Sequence, residues 1–245
     1  MKNILFILGV FIFYNTSAQN IKSITYWDKQ QKLSGISHSP KKNSDKGVLI
    51  LPAWKGIDTE AKTASLELSI LGYNTFVADI YGEENLPKTN EEAKKLSSFY
   101  KSNPEAYHNR INLALKELIK LGVDPNKIVV IGYCFGGTGA LETARAQFPV
   151  AGVVSIHGNL SKGDRPNGPL ATKILVLHGA DDAAVSPEEI KNFETEMKLA
   201  KADWQMIYYA NSKHTFTNPE SADYNEVMAK RSWQHLLLFL KENLK

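Results

Sequence analysis

The sequence predicts an α/β protein: a mostly parallel sheet with helices on both faces. Three observations carry that class. Short apolar runs recur along the chain, among them GVLILP at 47–52, KIVVIGY at 127–133 and KILVLHG at 173–179, each the length of a strand and rich in β-branched residues. Segments with helical periodicity and helix-start signals separate these runs. The two kinds of segment alternate, which calls for parallel strands joined by crossovers. With 245 residues the chain is long enough for one such domain with a sizeable core, and no repeat, low-complexity tract or linker divides it after residue 18.

Residues 1–18 stand apart. Lys2, the apolar run ILFILGVFIFY and the small polar stretch Asn15–Ala18 have the form of a secretory signal peptide, with cleavage predicted near Ala18. The apolar run is too short to span a bilayer. The mature chain from Gln19 is therefore predicted to be exported, periplasmic or secreted, with no membrane span. The single cysteine excludes an internal disulfide, and a catalytic role would explain an odd thiol in an exported protein. Net charge is +3 with lysines scattered and no basic-aromatic cluster, which excludes a nucleic-acid partner.

From residue 24, ITYWDKQQKLSGISHSP predicts a hairpin of two strands. GVLILP is a buried strand, followed by a helix from Asp58 to Leu71 that stops at Gly72. NTFVADI at 74–80 is the next strand, and helical patterns follow at 90–101 and 104–122. KIVVIGY leads into a helix predicted over 137–148, and AGVVSIHG at 151–158 and KILVLHG are further strands. Ser186, Pro187 and Glu189 make a strong helix start. WQMIYYA at 204–210 is a strand, and the tail from Asp223 to Leu244 is an amphipathic helix.

Chemistry concentrates at the end of KIVVIGY. Gly132-Tyr133-Cys134-Phe135-Gly136 is a nucleophile elbow, G-x-S-x-G with cysteine in the serine position. The glycines allow a turn so tight that side chains there would collide with strand or helix. The following helix points free N–H groups and a partial positive charge at the thiol. A nucleophile needs a base and an acid to orient it, gathered at the C-terminal ends of strands. LVLHGADDAAVSP places Asp181 and Asp182 after one strand, and NSKHTF places His214 after the next. The order nucleophile, acid, histidine is that of α/β-hydrolases. No metal-ligand spacing occurs among the histidines and nothing suggests a cofactor, so neither is expected.

On these motifs the chain resembles the dienelactone hydrolase family of α/β-hydrolases, from about residue 24 to its end. G-Y-C-x-G-G is matched by Gly132 to Gly137, H-G-x-x-D-x-x-V by His178, Gly179, Asp182 and Val185, and H-x-F by His214 and Phe216. The resemblance implies a Cys134–Asp182–His214 triad, with Asp182 selected over Asp181 by its spacing to the valine. It implies an oxyanion hole from the backbone amides of Trp54 and Phe135. Trp54, Tyr81, Glu83 and Phe216 are the residues it suggests for the substrate pocket. His157 and His178, each beside a glycine at a strand end, are read as structural, hydrogen-bonding loop backbone. Three positions depart from the family. Ala53 replaces a glutamate that contacts the resting thiol, while Glu83 and Asn218 stand where arginines grip a substrate carboxylate. The expected activity is hydrolysis of a small-molecule ester, lactone or thioester other than a small anionic lactone. Acyl transfer through the same triad, or a binding module on a hydrolase fold, are the alternatives.

Overall fold

The computed structural model describes residues 21–245, so the signal segment predicted from the sequence lies outside the described residues. The chain forms β1 (Ile21–Asp28), β2 (Gln31–His38), β3 (Gly47–Leu51), α1 (Thr59–Ile70), β4 (Asn74–Val77), α2 (Asn90–Ser102), α3 (Pro104–Lys120), β5 (Ile128–Tyr133), α4 (Phe135–Arg145), β6 (Gly152–Ile156), β7 (Lys173–Gly179), α5 (Pro187–Ala200), β8 (Trp204–Tyr209) and α6 (Glu226–Asn243). One short 3₁₀ turn, Glu83–Asn85, follows β4. No helix among the described residues is long and apolar enough to cross a membrane.

The strands make one sheet in the order β1-β2-β4-β3-β5-β6-β7-β8. The β1–β2 hairpin joins β4 antiparallel, and every other pairing is parallel. Side chains of β3, β5, β6 and β7 are buried on both faces, as central parallel strands require. On one face Leu49, Leu51 and Val130 pack against Ile111 and Leu118 of α3, Leu141 of α4 and Phe193 of α5. On the other, Val48, Ile50 and Ile131 pack against Ala61 and Leu68 of α1 and Leu236 and Leu240 of α6.

This arrangement fixes where a site can form. β3 and β5 are neighbours, yet the helices that follow them cover opposite faces. Their outgoing loops therefore diverge and leave a crevice at the carboxyl ends of the strands, the usual ligand position in open α/β sheets. The loop carrying Trp54 leaves β3 and the elbow carrying Cys134 leaves β5.

The bounds of β4 and α4 differ from the sequence expectation. β4 stops at Val77 because Asp79 bends the chain away: its Oδ1 accepts the N–H groups of Tyr81 and Gly82, and its Oδ2 that of Ser34. α4 begins at Phe135, straight from the elbow, and ends at Arg145. There Gln147 turns left-handed (φ 55°) and the Phe148 N–H returns to the Thr143 carbonyl.

α4 is anchored at its far end by a buried ionic cluster. Arg145 grips Glu196 of α5 with Nε and Nη2 at 2.9 and 2.7 Å and reaches Glu142 at 3.0 Å. All three side chains are at most 7% exposed. Arg145→Met keeps the apolar stem but deprives two buried carboxylates of this partner. Urea denaturation is expected to show a loss of about 3–5 kcal/mol, the cost of breaking a buried pair from one side. A loss below about 1 kcal/mol would mean that this cluster does not anchor α4.

Candidate active site

The elbow is the tightest point of the fold. Cys134 caps α4 with φ 52° and ψ −113°, a backbone conformation that costs a non-glycine residue about 1–3 kcal/mol. The glycines around it have no room for side chains. A Cβ on Gly132 would lie 1.9 Å from the Gly136 carbonyl oxygen, and one on Gly136 would lie 2.0 Å from that of Leu51. The Cys134 N–H is shared between the Ile156 carbonyl at 3.0 Å and His157 Nδ1 at 3.1 Å.

His214 arrives in the loop after β8. Its Nε2 lies 3.1 Å from the Cys134 sulfur and its Nδ1 lies 2.8 Å from Asp182 Oδ2. The Asp182 carboxylate is fully buried and its other oxygen accepts the Ala184 N–H at 2.9 Å. Asp181 is exposed, and its backbone N–H bonds the Ser212 carbonyl. The structure thus brings together Cys134, His214 and Asp182, and leaves Asp181 outside.

Burial by itself would discharge the His214 ring. The hydrogen bonds to Asp182 and Cys134, with the negative charge of both, outweigh it and raise the ring to about 10. Asp182 is likewise pushed up by burial, but the His214 hydrogen bond and charge prevail and hold it below the usual carboxylate range.

Of the two amides named for the oxyanion hole, that of Phe135 follows Cys134 directly and that of Trp54 belongs to the loop after β3. Phe135 is the first residue of α4, whose leading N–H groups lack intrahelical acceptors. Among the described residues neither its amide nor that of Trp54 has an acceptor. An aromatic column ties the two loops together. The Tyr81 hydroxyl donates to the Trp54 carbonyl at 2.9 Å, and its ring stacks on Phe135 at 5.7 Å, which stacks on Tyr107 at 4.7 Å.

The pocket residues separate. Trp54 is half-buried, with Lys55 Nζ 5.8 Å above its ring. Tyr81 is buried beneath it as support. Phe216 does not line a substrate pocket: it is wholly buried, stacked on Tyr209 at 5.2 Å in the core that carries the histidine loop. Glu83 is drawn to the hairpin by Lys32 at 2.8 Å, and that ion pair keeps its carboxyl below its ordinary range. Asn218 caps its own turn, its Oδ1 accepting the Glu220 N–H.

His157 does bond loop backbone, but that backbone belongs to the elbow, and its other nitrogen reaches further. Nε2 lies 2.9 Å from Thr217 Oγ1, which donates to Glu60 Oε1 at 2.6 Å. Burial drives the His157 ring down to about 3, so it is neutral. Since Nδ1 accepts from Cys134, the proton sits on Nε2, and the line runs Cys134 N–H to His157 to Thr217 to Glu60. Glu60 and Thr217 carry no sequence signal, because an acid in a first helical turn is ordinary. His178 departs from its expected role: its buried Nδ1 has no partner among the described residues, and the ring packs edge-on against Tyr208 at 5.5 Å.

A model of the dienelactone hydrolase family matches residues 33–244, most of the chain. The chain belongs to the dienelactone hydrolase family. It is accordingly an enzyme of the carboxylic ester hydrolase class. An uncharacterized Caenorhabditis elegans protein is 35% identical over 144 residues, covering 54% of this chain and 91% of that one. A Bradyrhizobium protein described as "Probable 2-oxo-3-(5-oxofuran-2-ylidene)propanoate lactonase" is 24% identical, covering 80% of this chain and 84% of its own. Among solved structures, a dienelactone hydrolase-like promiscuous phosphotriesterase from metagenomic libraries superposes with a TM-score of 0.86 at 29% identity, over 93% of this chain and 99% of that one.

The geometry predicts the charge state of His214. In a nitrogen-15 NMR titration its ring is expected to stay cationic through pH 8 and to lose its proton near pH 10. Asp182→Asn removes a bond that favours the charged ring and so lowers the midpoint, whereas Asp181→Asn leaves it in place. A wild-type midpoint at or below 6.5 would contradict the assignment.

Proposed function

We propose that this member of the dienelactone hydrolase family is an exported hydrolase that cleaves neutral carboxylic esters, lactones or thioesters through an acyl-cysteine at Cys134. One observation carries the reading: an unbroken line from Asp182 through His214 to a sulfur held at a strained elbow. The signal-like residues 1–18 support export.

In the first half-reaction the Cys134 thiolate adds to the substrate carbonyl carbon. The negative charge that develops on the carbonyl oxygen is received by the Trp54 and Phe135 amides. Collapse restores the carbonyl and breaks the bond to the leaving oxygen or sulfur, which takes its proton from His214 Nε2. The now neutral ring then accepts a proton from water as that water adds to the thioester. Collapse of the second adduct releases the acid and returns the thiolate and the charged ring. Asp182 keeps the proton on Nδ1 throughout, so that Nε2 always faces the reaction.

Specificity for a neutral acyl group follows from what surrounds the crevice. The positions that hold arginine in the wider family carry Glu83 and Asn218, the first paired with Lys32 and the second folded on its own turn. A half-buried indole, Trp54, lies in the loop after β3. The Bradyrhizobium relative is named for a substrate that bears a carboxylate; this chain is proposed to differ.

Two outcomes follow. Mass spectrometry of protein quenched during turnover of p-nitrophenyl acetate is expected to find the acetyl group on Cys134. Iodoacetamide labelling of that residue, or Cys134→Ala, abolishes activity; full activity after complete labelling would refute the role. With a matched pair of substrates, one carboxylic acid and its methyl ester, kcat/KM is expected to be at least roughly tenfold higher for the neutral member. Charge-assisted contacts worth about 1.5–3 kcal/mol each are missing for the acid. A preference for the acid would overturn the proposal on specificity.

A further inference from the structure

Behind the elbow, on the face covered by α1 and α6, lies a cavity of about 530 Å³. Neither Cys134 nor His214 lines it. Its floor is apolar and aromatic: Tyr133, Ile156 and Leu177 from the strand ends, with Trp233 and Leu236 from α6. Its polar rim is acidic. Glu60 and Glu67 of α1 and Glu220 of the loop between β8 and α6 face it. Lys230, the one cationic residue lining it among the described residues, is held by Glu226 at 2.6 Å.

Two of these groups lack the company that a purely structural role would give them. Tyr133 is 4% exposed, yet its hydroxyl has no hydrogen-bond partner among the described residues. Among the described residues Glu60 accepts one side-chain bond, from Thr217, and no cation is paired with its carboxyl, Lys230 being held by Glu226. We propose that this cavity is a second binding site, distinct from the catalytic crevice, for a small organic cation: an ammonium group on an apolar or aromatic body. The ammonium would donate to Glu60 and to the Tyr133 hydroxyl oxygen, and the body would lie on the Tyr133, Trp233 and Leu236 surface. Aromatic faces attract such cations as well as apolar groups. Burial raises the Glu60 carboxyl to about 8, against the opposing Thr217 hydrogen bond, and a bound cation would supply the charge that favours its ionised form.

The test uses the whole protein with Cys134 blocked by iodoacetamide, so that the catalytic crevice cannot report. Benzylamine is titrated at pH 7 by isothermal calorimetry, beside benzyl alcohol and benzoate. Benzylamine is expected to bind at least tenfold more tightly than the alcohol, and benzoate not at all. Glu60→Gln is expected to reduce benzylamine binding to the level of the alcohol. Thr63→Trp, on an exposed position of the cavity wall, is expected to abolish it without unfolding the chain. Equal affinity for amine and alcohol would overturn the proposal, as would benzylamine binding that survives both substitutions. Binding to the unblocked protein that disappears on alkylation would place the amine in the catalytic crevice and also refute it. None of these outcomes depends on which ester the enzyme hydrolyses.

Discussion

A cysteine must stand at positive φ between a strand and a helix with no loop to relieve it, and much of the molecule is arranged around that constraint. Gly132 and Gly136 let the strand end, the helix start and the β3 backbone meet within van der Waals contact. The Cys134 N–H is taken from behind by Ile156 and His157. Its helix is clamped at the other end through Arg145. A strained residue persists only where its surroundings over-determine it. Here the strain turns the sulfur toward the crevice that diverging helices open between β3 and β5.

The partners of the sulfur come from the other half of the sheet. β7 delivers Asp182 and β8 delivers His214, adjacent parallel strands whose carboxyl ends share one edge. Sheet register thus brings Asp182 within hydrogen-bond reach of His214. The aromatic column of Tyr81, Phe135 and Tyr107 ties together the loops that carry the two amides. Electrostatic stabilisation of this kind depends on dipoles fixed before the reaction begins.

Most of this was legible in the sequence because it is local. The elbow is five consecutive residues, and Cys134, Asp182 and His214 each follow a recognisable strand. The hairpin, the strand order of chemistry and the helix caps at Asp58 and Ser186 are near-neighbour effects. What could not be read is what the fold brings together from afar. Phe216 shares a motif with His214, but the turn after β8 sends its ring into the core against Tyr209. Glu83 meets Lys32 only because β2 lies beside β4. The line through His157, Thr217 and Glu60 joins residues 60 and 217, a pairing that no periodicity announces. The end of β4 at Asp79 was missed for the same reason: its side chain bonds to the hairpin as well as to its own turn.

The solitary thiol also has a redox consequence. A half-exposed sulfur beside a charged ring is open to peroxide. Oxidation first gives a sulfenic acid, which a neighbouring cysteine would normally convert to a disulfide and so protect. This chain contains no second cysteine. Rescue must therefore come from a thiol outside the protein, and without one the next step, to sulfinic acid, is irreversible. The same solitude that keeps this thiol free of disulfide exchange within the chain makes its survival as a thiol depend on the reducing capacity of its surroundings.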